Sequence, residues 1–166
     1  MSKLIILRGN SGSGKTSVAK ELQKQIGRNT LVLSQDTVRR EMLWAKDGHN
    51  TSALPLLISL LQYGHQNNEV IILEGILYSK WYRPLFEEAV KLFGMDIYAY
   101  YYDLPFEETL KRHETREKRF EFGEKEMRRW WNEKDFIGFI QEKTISEEMS
   151  LEAVVKMILS DVQIER

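Results

Sequence analysis

Short apolar runs alternate with amphipathic stripes of helical period along the chain. Five runs predict strands at Lys3–Leu7, Thr30–Leu33, Val70–Leu73, Ile97–Tyr102 and Thr144–Ile145. Seven stripes predict helices at Lys15–Ile26, Thr37–Trp44, Ser52–His65, Trp81–Phe93, Pro105–Arg116, Glu124–Trp131 and Leu151–Val162. This alternation is typical of a parallel sheet with helices on both faces, so we expect a three-layer α/β fold around a five-stranded parallel sheet.

A glycine-rich motif follows the first predicted strand. Residues 9–16 read GNSGSGKT and match G-x-x-x-x-G-K-[ST], the phosphate-binding P-loop. In this motif Lys15 meets the β- and γ-phosphates and Thr16 holds Mg²⁺, so ATP and Mg²⁺ are the predicted cofactors. A glycine turn without a ligand is the alternative. The predicted nucleotide-binding residues of the loop are Gly9, Asn10, Ser11, Gly12, Ser13, Gly14, Lys15, Thr16 and Ser17.

Polar residues follow the second predicted strand, at the sheet edge where parallel α/β proteins bind their ligands. Asp36 lies there, and Arg39 and Arg40 come one helical turn later. A carboxylate in this place can take the proton of an attacking hydroxyl, while the arginines hold the acceptor or the transferring group. The alternative is that Asp36 only caps its helix and that the arginines are solvated.

Another carboxylate, Glu74, ends the third predicted strand. P-loop enzymes keep an acid at this place for Mg²⁺ or its water shell. The longer side chain of a glutamate reaches either a metal-bound water or the acceptor, and both roles stay open. An exposed acid at a strand end is the alternative without a function.

Composition limits the other classes of protein. The 166 residues suit a single domain, predicted to span 1–166, and the absence of cysteine excludes disulfides and thiolate zinc sites. The chain starts directly with the first predicted strand and has no apolar run long enough to span a membrane, so we expect a cytoplasmic protein. A net charge of −1 gives the chain no overall attraction to the phosphates of nucleic acid and argues against a nucleic-acid partner. The three histidines lack metal-ligand spacing.

The segment Tyr100–Arg116 ends a strand with Asp-Leu-Pro and continues into a helix with two arginines four residues apart. It resembles the entry to the lid of P-loop kinases of the nucleoside-monophosphate-kinase-like superfamily. The resemblance implies that Arg112 lies against adenine, that Arg116 reaches the phosphates as a catalytic residue, and that a short lid spans about 113–124. We expect both arginines on one helix face, with Arg119 a third candidate. A solvated basic helix end is the alternative.

Within that superfamily the chain is most similar to kinases of the chloramphenicol-phosphotransferase, gluconate-kinase and polynucleotide-kinase type. In these the acid after the second strand is the base for a hydroxyl acceptor, a role that the resemblance gives to Asp36. It also implies that the loop at 144–151 packs beside adenine and that the acceptor is bound by about 36–68 and 75–85.

Aromatic residues concentrate in the predicted acceptor region, where a flat or glycosidic acceptor can stack. The predicted acceptor-binding residues are Arg39, Arg40, Glu74, Tyr78, Tyr82 and Arg83, and Trp44, Tyr63, Trp81, His49 and His65 lie in the same region. For each single aromatic residue, packing into the core is the alternative. We expect Trp130 and Trp131 to pack the helix after the lid onto the body of the domain.

These patterns predict a kinase that transfers the γ-phosphoryl group of ATP to a hydroxyl of a small molecule, such as a nucleoside, sugar or antibiotic-like compound. The expected catalytic residues are Lys15, Asp36 and Arg116, and the expected metal-binding residues are Thr16 and Glu74. A polynucleotide 5′-hydroxyl kinase and a non-catalytic ATP-binding switch are the two alternatives. The sequence leaves the acceptor's identity and the oligomeric state open.

Overall fold

A computed structural model describes residues 1–164 of the chain. Its strands are β1 (Lys3–Gly9), β2 (Leu31–Ser34), β3 (Val70–Gly75), β4 (Ile97–Tyr102) and β5 (Glu142–Ile145). Its α-helices are α1 (Lys15–Ile26), α2 (Ala53–Asn67), α3 (Arg83–Phe93), α4 (Phe106–His113), α5 (Glu124–Trp130) and α6 (Leu151–Val162). A π-helical segment (Thr37–Met42) and a 3₁₀ segment (Glu117–Phe120) complete the secondary structure.

All five strands pair in parallel, in the order β2-β3-β1-β4-β5. Strand β1 is central, and its residues Leu4–Leu7 are fully buried because helices cover both faces of the sheet. The predicted five-stranded parallel α/β fold is therefore confirmed. Because all carboxyl ends lie at one edge, the segments that follow β1, β2, β3 and β4 meet there.

Alternate residues of β1 contribute to two separate cores. Leu4 and Ile6 pack with α2 and α3 on one face of the sheet. Ile5 and Leu7 pack with α1 and α6 on the other face. This division follows from the period of two in a strand, so an uninterrupted apolar run is what a strand buried on both faces requires.

Two predicted helices differ from the structure. Residues Thr37–Met42 form wide turns, in which the Leu43 N–H donates to the Val38 carbonyl five residues earlier. The helix predicted to reach Arg116 ends at His113. There the Thr115 hydroxyl donates to the Arg112 carbonyl at 2.8 Å, and the chain makes a tight turn before it becomes extended. The consequence is that Arg116 does not continue the helix that carries Arg112.

None of the helices within residues 1–164 combines the length and the apolar character needed to cross a membrane.

A buried arginine holds together the sheet and the segment after α5. Arg8 of β1 is fully buried, and its guanidinium pairs with Asp135 at 2.6 Å and Glu142 at 2.7 Å. It also donates to the Leu77 carbonyl at 3.1 Å and lies over the Tyr101 ring. A buried cation is tolerated only when its charge and its donors are satisfied, so this cluster fixes the segment 131–142 against β1.

We predict that Arg8→Leu destabilises the fold by about 3–5 kcal/mol, because it leaves the carboxylate of Glu142, 1% exposed, without its partner. Urea unfolding followed by circular dichroism measures the change. The matched control is Arg83→Gln, which breaks a solvated ion pair with Glu87 and is expected to cost about 0–1 kcal/mol. A loss of less than about 1 kcal/mol in Arg8→Leu would contradict the structural role given to this cluster.

Candidate active site

The glycine-rich loop between β1 and α1 closes tightly on the helix after β4. Gly12 has a positive φ of 84°, and a Cβ atom there would lie 2.5 Å from the Thr109 carbonyl oxygen. At Gly9, with φ 153°, a Cβ atom would lie 2.8 Å from Cβ of Tyr102. Both positions therefore require glycine, and the spacing of the motif has a steric cause besides phosphate binding.

Lys15, at the start of α1, is a buried cation that forms no salt bridge within residues 1–164. Its ammonium donates to the Asn10 carbonyl at 2.8 Å, within the loop itself. Burial lowers the pKa of Lys15 from 10.5 to about 8, against an opposing effect of Glu74 and Asp36, which favour the charged form. A buried ammonium with so little compensation is suited to receive an anion.

Thr16 and Glu74 face each other next to this lysine. The Thr16 hydroxyl donates to a carboxylate oxygen of Glu74 at 3.2 Å, and Glu74 is 3% exposed. Glu74 is the fifth of the six residues of β3, so it lies within the strand and does not follow it. The described residues contain no group of three or more His, Cys, Asp or Glu side chains that could hold a metal. An ion here would take most of its ligands from phosphate and water, which is the usual coordination of Mg²⁺.

Asn10 connects the loop to the segment after α5. Its side chain donates to the Asn132 carbonyl at 2.7 Å and accepts from the Asn132 N–H at 2.8 Å. This reciprocal pair uses both ends of the amide, so it fixes the orientation of Asn10 and the distance between the two segments.

A cleft of about 410 Å³ lies between the loop, the end of α4 and the start of α6, and we call it the P-loop cleft. Arg112 stands at its edge, donating to the Ser13 carbonyl at 2.7 Å and to Glu108 at 2.9 Å. The loop predicted to pack beside adenine contributes residues 147–151 to the lining, and Arg112 also donates to the Glu147 carbonyl at 3.3 Å. The lining residues are Gly12, Ser13, Gly14, Ser17, Val18, Tyr102, Arg112, Thr115, Arg116, Glu147, Glu148, Met149, Ser150, Leu151 and Val154.

Arg116 reaches the same cleft from an extended backbone, with φ −101° and ψ 156°, and not from a shared helix face. One of its terminal nitrogens lies 2.7 Å from Nδ1 of His113, and its Nε is buried without a hydrogen-bond partner among the described residues. Burial lowers the pKa of Arg116, against an opposing effect of Asp36 and Glu121. Like Lys15, it is a cation with unused capacity for an anion.

His113 has its protonation state set by its two partners. Nδ1 faces Arg116, which can only donate, and Nε2 lies 2.7 Å from the Phe122 carbonyl, which can only accept. These two contacts match the tautomer of the ring that donates from Nε2 and accepts at Nδ1. It stacks on Phe122 at 4.5 Å and thereby connects the end of α4 to the lid.

Asp36 lies among three cations at the start of the π-helical segment. Lys118 of the lid donates to it at 2.9 Å, and Arg39 and Arg40 lie 3.6 and 3.5 Å away. Burial raises the pKa of Asp36, but Lys118 and the two arginines outweigh it and hold the pKa below its ordinary value. The backbone of Asp36 is helical and its side chain makes no capping hydrogen bond within the described chain, in contrast to the capping alternative.

Asp36 lines a second cleft, of about 610 Å³, which we call the Asp36 cleft. Arg39, Arg40 and Tyr78 line it as expected, whereas Glu74 does not. None of the residues 48–68 of the predicted acceptor region lines it. The lining residues are Ser11, Gln35, Asp36, Arg39, Arg40, Lys46, Asp47, Ile76, Tyr78, Trp81, Phe122, Arg129, Trp130 and Asn132.

Besides Glu74, two predicted acceptor-binding residues, Tyr82 and Arg83, lie outside the Asp36 cleft. Tyr82 is fully buried, and its hydroxyl donates to Asp47 at 2.6 Å and accepts from Gln35 at 2.8 Å. Arg83 is exposed on α3 and pairs with Glu87. Tyr82 therefore supports the wall of the Asp36 cleft from behind, and Arg83 is outside it.

Several residues of the site carry no signal that sequence reasoning used. Lys118 of the lid contacts Asp36, whereas the sequence suggested Arg119 as the third lid residue of the site. Arg119 instead contacts the exposed Phe120 ring. Trp130 lines the Asp36 cleft and contacts Phe122 of the lid, while Trp131 packs on Phe106 of α4. Trp131 thus packs the end of α5 onto α4, in line with the expectation, whereas Trp130 contacts the lid and the Asp36 cleft. The concentration of arginine and tryptophan at 128–131 was the available signal.

The five-stranded parallel sheet and the glycine-rich loop after its first strand together define a P-loop α/β fold. The chain belongs to a family described as AAA domain, whose profile matches residues 4–133. No curated protein matches it by sequence.

Several solved structures share the fold over nearly the whole chain. A tunicamycin resistance protein from Deinococcus radiodurans has a TM-score of 0.69 at 20% identity, covering 99% of this chain and 98% of that one. An APS kinase from Mycobacterium tuberculosis, in complex with AMPPNP and APS, has a TM-score of 0.66 at 17% identity and 98% coverage of both chains. A gluconokinase from Sinorhizobium meliloti 1021 has a TM-score of 0.64 at 15% identity, covering 97% and 91%.

The pKa of Lys15 predicts how nucleotide binding depends on pH. Below about pH 8 the ammonium is charged and can attract a phosphate. Above this pH the free protein loses that charge, so ATP affinity should fall by up to about tenfold per pH unit until the pKa of the ATP complex is reached. Isothermal titration calorimetry from pH 7 to 10 measures the fall.

Lys15→Arg is the matched control, because arginine stays charged across this range. Its ATP affinity, although weaker from the start, should change less with pH than that of the wild type. Parallel pH profiles in the two proteins would show that Lys15 does not contact the phosphates.

His113 is predicted to position Arg116. His113→Phe keeps a ring against Phe122 but removes the acceptor for Arg116, and we expect ATP affinity to fall about tenfold, the scale of one charge-assisted hydrogen bond. His113→Gln, whose amide can accept from Arg116 and donate to Phe122, should restore most of it. Equal loss in both variants, with equal unfolding midpoints, would assign His113 a structural role only.

Proposed function

We propose that this protein is a kinase that transfers the γ-phosphoryl group of ATP to a hydroxyl group of a small molecule. The observation that carries the proposal is the position of the glycine-rich loop between the two clefts. Gly12–Gly14 line the P-loop cleft, while Ser11 of the same loop lines the Asp36 cleft. A phosphoryl group on the loop would therefore have nucleotide on one side and room for an acceptor on the other.

The proposed reaction is an in-line displacement. The acceptor hydroxyl, held at Asp36, attacks the γ-phosphorus, and the bond from the γ-phosphorus to the β,γ-bridging oxygen breaks to release ADP. The hydroxyl proton passes to Asp36 and from there to water. Lys15, the buried cation of the loop, and Arg116, the half-buried cation of the lid, offset the charge on the phosphates in transit.

Mg²⁺ is the cation that this arrangement fits. The Thr16 hydroxyl and Glu74, directly or through water, would be its protein ligands, and phosphate oxygens and water would complete its shell. When bound, the ion supplies charge neutralisation at the β- and γ-phosphates. Thr16 and Glu74 are 3.2 Å apart and hydrogen-bonded to each other, so an ion would have to replace that hydrogen bond.

The similar solved structures support the reaction class. Three of them are a gluconokinase, an APS kinase in complex with AMPPNP and APS, and a shikimate kinase in complex with shikimate. Because their identity to this chain is 15–17%, they support a small-molecule acceptor and not a particular one.

We predict that Asp36→Asn keeps ATP affinity within a few-fold and lowers acceptor-dependent ADP release by roughly 10²-fold, the scale of general-base loss. Asparagine keeps the size of the side chain but cannot take a proton. A coupled assay of ADP release over a panel of nucleosides, sugars, antibiotics and oligonucleotide ends identifies the acceptor and measures the loss.

Asp103→Asn is the matched control, because Asp103 directly follows β4 at the same edge of the sheet and pairs with Lys134 outside both clefts. It should leave turnover unchanged. Retained acceptor-dependent turnover in Asp36→Asn would overturn this mechanism. Absence of turnover with the whole panel, together with tight ATP binding, would favour a nucleotide-dependent switch, and activity only on oligonucleotide ends would favour a polynucleotide kinase.

A further inference from the structure

Two tyrosines of β4 lie on the same face of the sheet but differ in their hydrogen bonds. Tyr100 and Tyr102, 1% and 3% exposed, both belong to the core that α1 and α6 form with the sheet. The Tyr100 hydroxyl donates to Asp161 at 2.8 Å. The Tyr102 hydroxyl is buried and has no hydrogen-bond partner within residues 1–164. Buried hydroxyls are normally satisfied, because an unsatisfied one costs free energy, so the exception at Tyr102 requires an explanation.

Tyr102 is held directly beside the glycine-rich loop. It pairs with Gly9 in the register of β1 and β4, and a Cβ atom at Gly9 would lie 2.8 Å from Cβ of Tyr102. Tyr102 lines the P-loop cleft, together with Val18 of α1 and Val154 of α6, and it is not among the residues that line the Asp36 cleft. The unsatisfied hydroxyl therefore belongs to a residue on the side of the loop where the nucleotide is proposed to bind.

The surroundings of this hydroxyl suit a planar ring better than a phosphate. Val18 and Val154, which line the same cleft, pack with Tyr102 in one apolar core. Burial raises the pKa of Tyr102, against an opposing effect of Arg112, so the hydroxyl is neutral and can donate or accept. Phosphate oxygens have their own partners in the loop amides and Lys15. A nucleotide base, which is flat and carries polar atoms at its edge, fits an apolar wall that contains a single hydroxyl.

We propose that the Tyr102 hydroxyl forms a hydrogen bond with the base of the nucleotide in the P-loop cleft, and that Tyr102 thereby contributes to the choice of nucleotide. This inference rests on the proposed function, in which this cleft takes ATP. Because the hydroxyl has no partner in the free protein, the base both adds a hydrogen bond and removes the cost of an unsatisfied group.

Arg112 has to move when the base reaches this hydroxyl. Its guanidinium donates to the Ser13 carbonyl at 2.7 Å and to the Glu147 carbonyl at 3.3 Å, so it joins the glycine-rich loop to the segment before α6. A base that enters between these two segments replaces at least one of the two hydrogen bonds. The hydroxyl of Tyr102 then becomes accessible to the base while remaining shielded from water.

The test compares Tyr102→Phe with the wild type, because phenylalanine keeps the ring and removes only the hydroxyl. Isothermal titration calorimetry with Mg²⁺ measures the affinities of ADP and of pyrophosphate, its counterpart without a nucleoside. We expect Tyr102→Phe to weaken ADP binding by about three- to tenfold, the scale of one neutral hydrogen bond, and to leave pyrophosphate binding unchanged. The unfolding midpoint of the free variant should stay the same or rise, because no hydrogen bond within the protein is lost.

Tyr100→Phe is the matched control, two residues earlier on the same face of β4. It removes the hydrogen bond to Asp161, so the unfolding midpoint should fall by about 2–4 °C while ADP affinity stays unchanged. The two variants are therefore expected to separate stability from affinity in opposite directions. A lower midpoint in Tyr102→Phe with unchanged ADP affinity would mean that the hydroxyl has a partner inside the protein, and the inference would be wrong.

Further outcomes separate this inference from the proposed function. Binding of neither ADP nor pyrophosphate to the wild type would refute both. Tight ADP binding that Tyr102→Phe does not change would refute the inference alone. Weaker ADP binding in Tyr102→Phe, without turnover of any hydroxyl acceptor by the wild type, would support the inference and refute the kinase. A loss that disappears with 2′-deoxy-ADP or 3′-deoxy-ADP would place the hydrogen bond at the ribose and refute its assignment to the base.

Discussion

The buried guanidinium of Arg8 is the interaction on which the arrangement of both clefts depends. It lies at the end of the central strand, one residue before the glycine-rich loop, and binds Asp135 and Glu142 of the segment after α5. Asp135 in turn accepts from Ser79, which follows β3. The two chain segments that follow α5 and β3, both of which contribute to the Asp36 cleft, are therefore fixed to β1 by a single cation. Asn10 continues this connection two residues later through Asn132.

Two other cations at this edge of the sheet, Lys15 and Arg116, form no salt bridge with the described residues. Burial lowers the pKa of Lys15 and of Arg116, which means that the protein environment disfavours their charged forms. Such a site gains more from an incoming polyphosphate than a site whose cations are already paired, because the anion removes an existing electrostatic cost. The cost is tolerable because clusters such as that of Arg8, and two apolar cores on either side of the sheet, stabilise the fold elsewhere.

The sequence was sufficient for the features that depend on local pattern and insufficient for those that depend on three-dimensional pairing. The five strands and the glycine-rich loop follow from periodicity and a short motif. The end of α4 was misplaced because its basic residues continue a helical pattern that the Thr115 hydroxyl interrupts. Tyr82 was assigned to the acceptor because an aromatic residue after a strand has the same sequence signal whether it is buried or exposed. Lys118 pairs with Asp36, which is 82 residues away along the chain. Arg8 pairs with Asp135 and Glu142, which are 127 and 134 residues away, so short sequence patterns reveal neither role.

The contact between Lys118 and Asp36 has a consequence for how a base in this place would act. Lys118 and the arginines hold the pKa of Asp36 below its ordinary value, which makes it a weak base. A loose transition state for phosphoryl transfer needs little negative charge on the attacking oxygen until late, so a weak base that positions the hydroxyl is compatible with it. Since Lys118 belongs to the lid, its ion pair also brings the lid over the Asp36 cleft, and an acceptor must share or displace that lysine to reach the carboxylate. If Asp36 is the base for the acceptor, as proposed, the same ion pair couples the position of the lid to the access of the acceptor hydroxyl.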